Sequence, residues 1–285
     1  MSFAETVLLG ALAGFTIYLG LPFGRLDLVS PRARVALAMF SVGVLAFLFG
    51  EILVHGVEIV EEAVEELGEG EGEWGEAIGF AAILGVGFTA GCAGLAVIES
   101  RLRPPRVDRP IQGGAADGLT VEQANSLVRG QDDDRRRALR IGMTIAAAIG
   151  VHNFAEGLAI GVSASTGEIG LATVLIIGFA LHNATEGFGI VGPLGSVRPT
   201  WRWLALAGLI GGAPTFIGSM LGYTVTSEPL ELTFYALAGG AILYVIGEIW
   251  HGMRRFGHRE LGLVLLACGF AAGVITDFLV VYGGG

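Results

Sequence analysis

Apolar residues fill eight long stretches of this chain, and most polar residues fall in the segments between them. Each stretch is long enough to cross a hydrocarbon core of about 30 Å, which takes roughly 20 helical residues. The pattern therefore predicts an all-α polytopic membrane protein with eight transmembrane helices. The predicted spans are residues 3–23, 35–57, 77–98, 141–164, 169–191, 201–223, 231–252 and 260–281.

The basic residues lie on one side of this arrangement. All 17 of them are arginine, and they lie in or beside the segments that follow the first, third, fifth and seventh spans. Because basic residues are enriched on the cytoplasmic side of membrane proteins, these segments are predicted to be cytoplasmic and both termini extracellular. A wrong number of spans would scatter the arginines over both sides, so their distribution independently supports eight.

The composition agrees with a membrane protein. Hydrophobic residues make up 53% of the chain and charged residues 15%, whereas charged residues make up about a quarter of a soluble domain. The 47 glycines suit a bundle in which membrane helices approach closely. We expect a multi-pass protein of the plasma membrane, embedded in the lipid bilayer. The net charge of −10 gives no reason to expect a nucleic acid partner.

Two connecting segments are long, and both are interpreted as parts of a single membrane domain. The external segment 58–76 carries nine glutamates and begins as a helical extension of the second span. It is either a cation-concentrating mouth or simply a solvated acidic loop. The internal segment 99–140 is predicted to be a flexible cytoplasmic loop with one short helix near residues 120–128. Residues 1–98 then hold the first three spans, and residues 141–285 hold the last five.

The hexapeptide His-Asn-x-x-Glu-Gly occurs twice, at residues 152–157 and 182–187. A histidine and a glutamate four residues apart differ by about 6 Å along a helix and roughly 40° around it, so they share one face. Each copy therefore presents an imidazole, an amide oxygen and a carboxylate in one patch. The spacing predicts a metal site between the fourth and fifth helices. Its candidate ligands are His152, Asn153, Glu156, His182, Asn183 and Glu186.

The two motif glutamates are expected near the bilayer midplane, since His152 follows Arg140 by 12 residues and His182 precedes Arg198 by 16. An acidic residue at that depth costs on the order of 2.5–3.5 kcal/mol on insertion scales. A bound divalent cation would offset this cost. Nitrogen and oxygen donors without thiolates suit a borderline divalent ion and argue against Cu⁺. The alternative is a hydrogen-bonded network that only joins two helices.

Two further pairs are candidate accessory ligands. Glu51 and His55 lie toward the external end of the second span, where they form either an outer relay or a simple helix-end pair. Glu248 and His251 lie toward the cytoplasmic end of the seventh span, where they line either an exit path or solvent. The pattern assigns no role to Asp277. Three other acidic residues lie near predicted helix ends and are expected to be solvated: Glu5, Glu99 and Glu260.

The paired motif, on the fourth and fifth of eight spans, resembles that of the ZIP (zinc/iron permease) family of metal transporters. Further likeness lies in segments 239–245 and 211–222. The resemblance implies a transmembrane metal site, often binuclear, in which Glu156 and Glu186 bridge the ions. It also implies alternating access and a homodimer as a frequent arrangement. The metal would be cargo, with Zn²⁺ preferred over Fe²⁺, Mn²⁺, Co²⁺ or Cd²⁺, and no separate cofactor is expected.

Three positions or segments depart from the family pattern. Proline usually precedes the motif glutamate, but this chain has Ala155 and Thr185 there. Many bacterial members carry a glutamate in the sixth span where this chain has Thr215. The long internal loop, often rich in histidine in the family, has none here. We expect helices without a proline kink, a second metal position poor in charge, and no metal-sensing role for the loop.

The sequence thus predicts a divalent metal transporter, most favourably a zinc importer, and not an enzyme. Two rival hypotheses remain from the residues alone. One is an intramembrane metalloenzyme, because a His/Glu site with an open position can activate water. The other is a membrane protein that binds a metal without transporting it.

Overall fold

The computed structural model describes residues 1–26, 30–102, 121–166, 169–224 and 227–282, and this part of the chain contains helices and no strand. The first span consists of α1 (Phe3–Phe15), α2 (Ile17–Gly20) and a 3₁₀ turn (Leu21–Arg25), followed by α3 (Pro31–Glu69). The third span joins α4 (Trp74–Thr89), a π-helical turn (Ala90–Gly94) and α5 (Leu95–Leu102). The remaining helices are α6 (Val121–Thr166), α7 (Ile169–Val191), α8 (Trp201–Thr224), α9 (Glu228–Arg254) and α10 (Arg259–Tyr282).

The helices confirm the predicted fold class. Seven stretches of the described residues are long and apolar enough to cross a membrane. The helix α7, with 23 residues, falls on the predicted fifth span and carries the second motif. The long helices therefore match the predicted spans in number and order.

The helix α3 extends well beyond a membrane. Ser30 caps its first turn, with Pro31 at the first helical position, and both features favour a helix start. Its 39 residues span about 58 Å, so its acidic end projects outward. It ends at Gly70, whose φ of +83° is the left-handed conformation that commonly closes a helix. Most of the predicted acidic loop 58–76 is therefore helical, and only residues 70–73 connect α3 to α4.

A small apolar cluster, separate from the main core, joins the acidic end of α3 to α4. We call this pair of helix ends and its short connection the acidic hairpin. Ala63 of α3 packs with Ala77 and Phe80 of α4 and with Leu232 of α9, and all four are buried. The glutamates occupy the other faces of the hairpin and are mostly exposed. The acidic surface is thus carried by a packed element rather than by a loose loop.

The helix α6 begins 20 residues before the predicted fourth span. Residues 121–140, which the sequence assigned to the internal loop, form its first turns. Asp132 and Asp133 precede Arg136 and Arg137 by four residues, and this spacing supports a helix through pairing of opposite charges. The short helix predicted near 120–128 is part of this longer one, while residues 103–120 lie outside the described residues.

Two of the described arginines join connecting segments at one end of the bundle. The Arg25 guanidinium donates to the Pro199 carbonyl, and that of Arg255 donates to the Pro193 carbonyl at 2.6 Å. Both bonds join segments far apart in sequence at the same membrane face. We call this end the arginine face.

Close approach of α6 and α8 positions the first motif. A Cβ atom added at Gly157 would collide with the Thr215 carbonyl, and one added at Gly218 would collide with the Phe154 carbonyl. Small residues on both helices therefore bring α8 directly against the motif on α6. Both motif helices continue without a break through Ala155 and Thr185, as expected in the absence of proline.

One prediction about an acidic residue is wrong. Glu99, expected to be solvated near a helix end, is only 3% exposed. The Tyr244 hydroxyl donates to its Oε2 at 3.1 Å. Because α9 packs across the end of the third span, a position that looks terminal in the sequence is buried in the bundle.

Candidate metal centre

The two motifs face each other across α6 and α7 at the centre of the bundle. All six candidate ligands are buried, and the most exposed of them, His182, has 8% of its surface accessible. The spacing of the motif fixed which residues share a face of each helix. The packing of α7 against α1, α3 and α6 turns the second face toward the first.

The carboxylate of Glu156 lies between the two imidazoles. Its Oε1 is 2.6 Å from His182 Nε2 and 2.9 Å from His152 Nε2. The donor atoms of these three residues all lie within 4.8 Å of one another. Zinc ligands at about 2.0–2.2 Å from an ion fall within that spread, so one divalent cation fits among them.

The second glutamate approaches the same nitrogen of His152 from farther away. Glu186 Oε1 is 3.7 Å from His152 Nε2, and its Oε2 accepts a hydrogen bond of 3.2 Å from Asn153 Nδ2. The carboxylate is fully buried. It is therefore held at the margin of the three-residue cluster, within reach of an ion that shifts toward it.

The asparagine side chains are oriented by backbone carbonyls on neighbouring helices. Asn153 Nδ2 donates to Gly211 O of α8 at 2.9 Å, and Asn183 Nδ2 donates to Ala13 O of α1 at 3.2 Å. An amide whose nitrogen is anchored in this way directs its oxygen elsewhere. Both asparagines thus keep an acceptor available for a ligand.

Several buried polar atoms at this centre have no hydrogen-bond partner among the described residues. Leaving such an atom unpaired costs about 1–3 kcal/mol, and most of these atoms are oxygens that can donate a lone pair to a cation. This arrangement fits a metal site better than a self-contained hydrogen-bonded network. The atoms are His152 Nδ1, Asn153 Oδ1, Glu156 Oε2, Asn183 Oδ1, Glu186 Oε1 and Thr215 Oγ1.

The structure separates the outer accessory pair. The imidazole of His55 is exposed, and its Nδ1 lies 3.2 Å from Glu58 Oε2. Glu51 instead lines a small cavity of about 50 Å³ together with Asp277 and His182. Asp277 of α10, which the sequence left without a role, therefore replaces His55 as the neighbour of Glu51.

The inner accessory pair lies apart from the metal centre. Glu248 and His251 line a cavity of about 600 Å³ at the arginine face, together with Asp134, Arg137 and Arg255. None of the six motif residues borders it. The two residues therefore share a cavity that is separate from the three-residue cluster.

Sequence reasoning missed the groups that orient the motif. The carbonyls of Ala13 and Gly211 leave no mark in a side-chain pattern, because every residue has a carbonyl. The many glycines of the chain predicted that helices approach closely, but they did not show that α1 and α8 are the helices that contact the motif.

The amino-acid sequence is similar to those of several zinc transporters. A family profile described as "ZIP Zinc transporter" matches residues 115–276. A zinc transporter ZupT of Corynebacterium glutamicum is 30% identical over 277 residues, 94% of this chain and 98% of that protein. A zinc transporter ZupT of Corynebacterium efficiens is 30% identical, with 93% and 96% covered. The zinc transporter ZIPB of Bordetella bronchiseptica is 28% identical over 52% of this chain and 48% of its own length.

Proposed function

Because this chain belongs to the ZIP family and transports divalent metal ions across a membrane, we propose that its cargo is Zn²⁺, bound between α6 and α7. The observation that carries the proposal is the convergence of His152, Glu156 and His182 within 4.8 Å inside a buried centre. Imidazole and carboxylate donors are the ligands that zinc takes in proteins. The relatives named as zinc transporters support the same cargo.

We assign the ligands by their distance from this cluster. His152, Glu156 and His182 hold the ion, and Glu186, whose Oε1 is 3.7 Å from His152 Nε2, supplies the second negative charge. The oxygens of Asn153 and Asn183 lie at the margin. Two carboxylates then balance the two charges of one zinc ion.

The proposed direction of transport is toward the arginine face. Arginine enrichment predicts that this face is cytoplasmic and the termini external, and import toward it is what the resemblance to the ZIP family implies. Alternating access would open the centre first to the acidic hairpin side and then to the cavity lined by Glu248 and His251. The homodimer implied by the resemblance stays a prediction.

We further propose that Glu51 and Asp277 receive the ion on its way to the centre. They lie on the side of His182 away from the arginine face, and Glu51 is close enough to interact electrostatically with Asp277, His182 and Glu156. Intramembrane acidic residues of this kind commonly mark ion pathways. Their cavity adjoins His182, which also borders the metal centre.

Replacing these acidic residues should weaken access without removing the central site. In Glu51→Gln and Asp277→Asn, we expect the half-saturating zinc concentration for transport to rise by roughly ten-fold, about 1.4 kcal/mol. Equilibrium zinc occupancy of the purified protein should change little. Glu58→Gln, an exposed acidic residue on the same helix, is the matched control. Unchanged concentration dependence in both variants would remove the proposed outer role.

Zinc flux into liposomes that contain the purified protein tests the main proposal. We expect zinc uptake that saturates with concentration. Turnover of a small-molecule substrate without flux would instead favour a metalloenzyme. Tightly held zinc that does not exchange would favour a binding protein.

Zinc binding should weaken as the medium is acidified. The two imidazoles must be unprotonated and the carboxylates ionised to hold a metal, so protons compete with the ion. We expect affinity to fall by at least about ten-fold between pH 8 and pH 5. Equilibrium binding in detergent is the appropriate measurement, since a proton gradient across liposomes would alter flux independently. A flat profile would argue against His152 and His182 as ligands.

A further inference from the structure

A second large cavity lies at the arginine face, between the ends of α3, α9 and α10. Its volume is about 490 Å³, within the range of pockets that accept small molecules. It shares no lining residue with the cavity of Glu248 and His251. It is therefore distinct from the cavity that the proposed exit path uses.

The rim of this cavity is basic. Arg254, His258 and Arg259 contribute to its lining, and none of the lining residues is acidic. All three basic residues are exposed, and none of their side chains makes a hydrogen bond or ion pair with the described residues. The rim thus presents positive charge that no side chain of the described structure neutralises.

The interior of the cavity is apolar. Val35 and Met39 of α3 and Met253 of α9 form this part, and each is buried. Trp250, also in the lining, lies one turn before Arg254. Tryptophan at this height is typical of the boundary between headgroups and acyl chains. The cavity therefore combines a charged rim with an apolar interior, as an amphipathic lipid requires.

The cavity borders a surface that faces lipid. On α10, the residues that follow the lining glycine Gly262 are Leu263 and Val264, which are 42% and 59% exposed. Apolar side chains exposed on a membrane-spanning helix contact acyl chains. The cavity therefore lies next to residues of α10 that are exposed to acyl chains.

We propose that this cavity binds an anionic glycerophospholipid from the leaflet at the arginine face. Its phosphate would lie between Arg254 and Arg259, with His258 as a further donor, and an acyl chain would extend along Val35 and Met39. Basic pockets between membrane helices are suited to such headgroups. Bound in this way, the lipid neutralises the turn between α9 and α10 and ties it to α3.

Lipid binding to the purified full chain tests the proposal. Native mass spectrometry in a neutral detergent would compare phosphatidylglycerol with phosphatidylcholine of the same acyl chains. Binding of soluble glycerophosphoglycerol and of inorganic phosphate, which both lack acyl chains, would be measured in parallel. The variant is Arg254→Gln combined with Arg259→Gln, and the matched control is Arg101→Gln combined with Arg202→Gln. The control removes two exposed arginines of the same face that do not line the cavity.

We expect phosphatidylglycerol to bind roughly ten-fold or more tightly than phosphatidylcholine. The double variant should lose this preference, and the control should keep it. The soluble headgroup and phosphate should bind far more weakly than the lipid. Equal binding of the two lipids by the unmodified protein, or a preference retained in the variant, would overturn the proposal. So would equally strong binding of the chainless compounds. If the double variant is not monodisperse, each single substitution is measured against the same lipids.

Discussion

Replacing either motif glutamate by alanine is expected to abolish most zinc transport while leaving the protein folded. Glu156 Oε1 lies within 2.9 Å of both imidazoles, so Glu156→Ala removes the group that the other ligands surround. Loss of a residue that only supports a metal ligand typically costs 10–100-fold in affinity or activity, so loss of a charged ligand should cost on the order of a hundred-fold. Glu186→Ala should have a comparable effect, since it halves the charge available to the ion. The measurement is zinc flux into liposomes at equal protein density.

The control is Glu260→Ala, because Glu260 is an exposed acidic residue on α10 and lies outside the centre. Asn153→Ala should be milder than either glutamate variant, because it deletes a neutral oxygen donor and a hydrogen bond to Glu186. Thermal unfolding and size-exclusion profiles would show whether each variant is folded. Wild-type flux in a folded Glu156 or Glu186 variant would contradict the proposed centre.

The purified protein is expected to hold one zinc ion firmly at this centre, and any second ion should be weak and readily lost. Two divalent cations about 3.5–4 Å apart repel strongly unless bridging carboxylates offset the repulsion. Glu156 and Glu186 supply two negative charges against four positive ones. At the neighbouring positions lie the amide of Asn183 and the hydroxyl of Thr215, which are neutral and fully buried. Metal analysis together with anomalous diffraction at the zinc edge would count the ions.

Adding one charge at the margin should recruit the second ion. Asn183→Asp preserves the shape of the side chain and replaces a neutral oxygen with a charged carboxylate, so we expect zinc content to approach two ions per chain. Thr215→Val, which removes an oxygen without adding charge, is the comparison and should remain near one. Two fully occupied positions in the unmodified protein would show that another acidic residue reaches the centre. Glu51 would then be the first candidate, because it already interacts with Glu156.

The sequence by itself determined the class of fold and predicted which residues would form the centre. Membrane helices must satisfy their backbone hydrogen bonds internally, so long apolar runs leave few alternatives to spanning helices, and the described helices match the predicted order. The four-residue spacing from His152 to Glu156 sets a shared face through helix geometry alone. The second copy of the motif then identified the partner helix without knowledge of packing.

Only the tertiary structure decided which residues from distant helices meet. Glu51 meets Asp277 rather than His55, although His55 is closer in sequence, because α10 packs against α3. Glu99 is buried because α9 crosses the end of the third span. Ala13 and Gly211 orient the asparagines through carbonyls that every residue carries. Local periodicity determines which residues share a face of one helix. How far each helix is rotated and shifted relative to its neighbours depends on side-chain packing along their full lengths, and this packing has no period in the sequence.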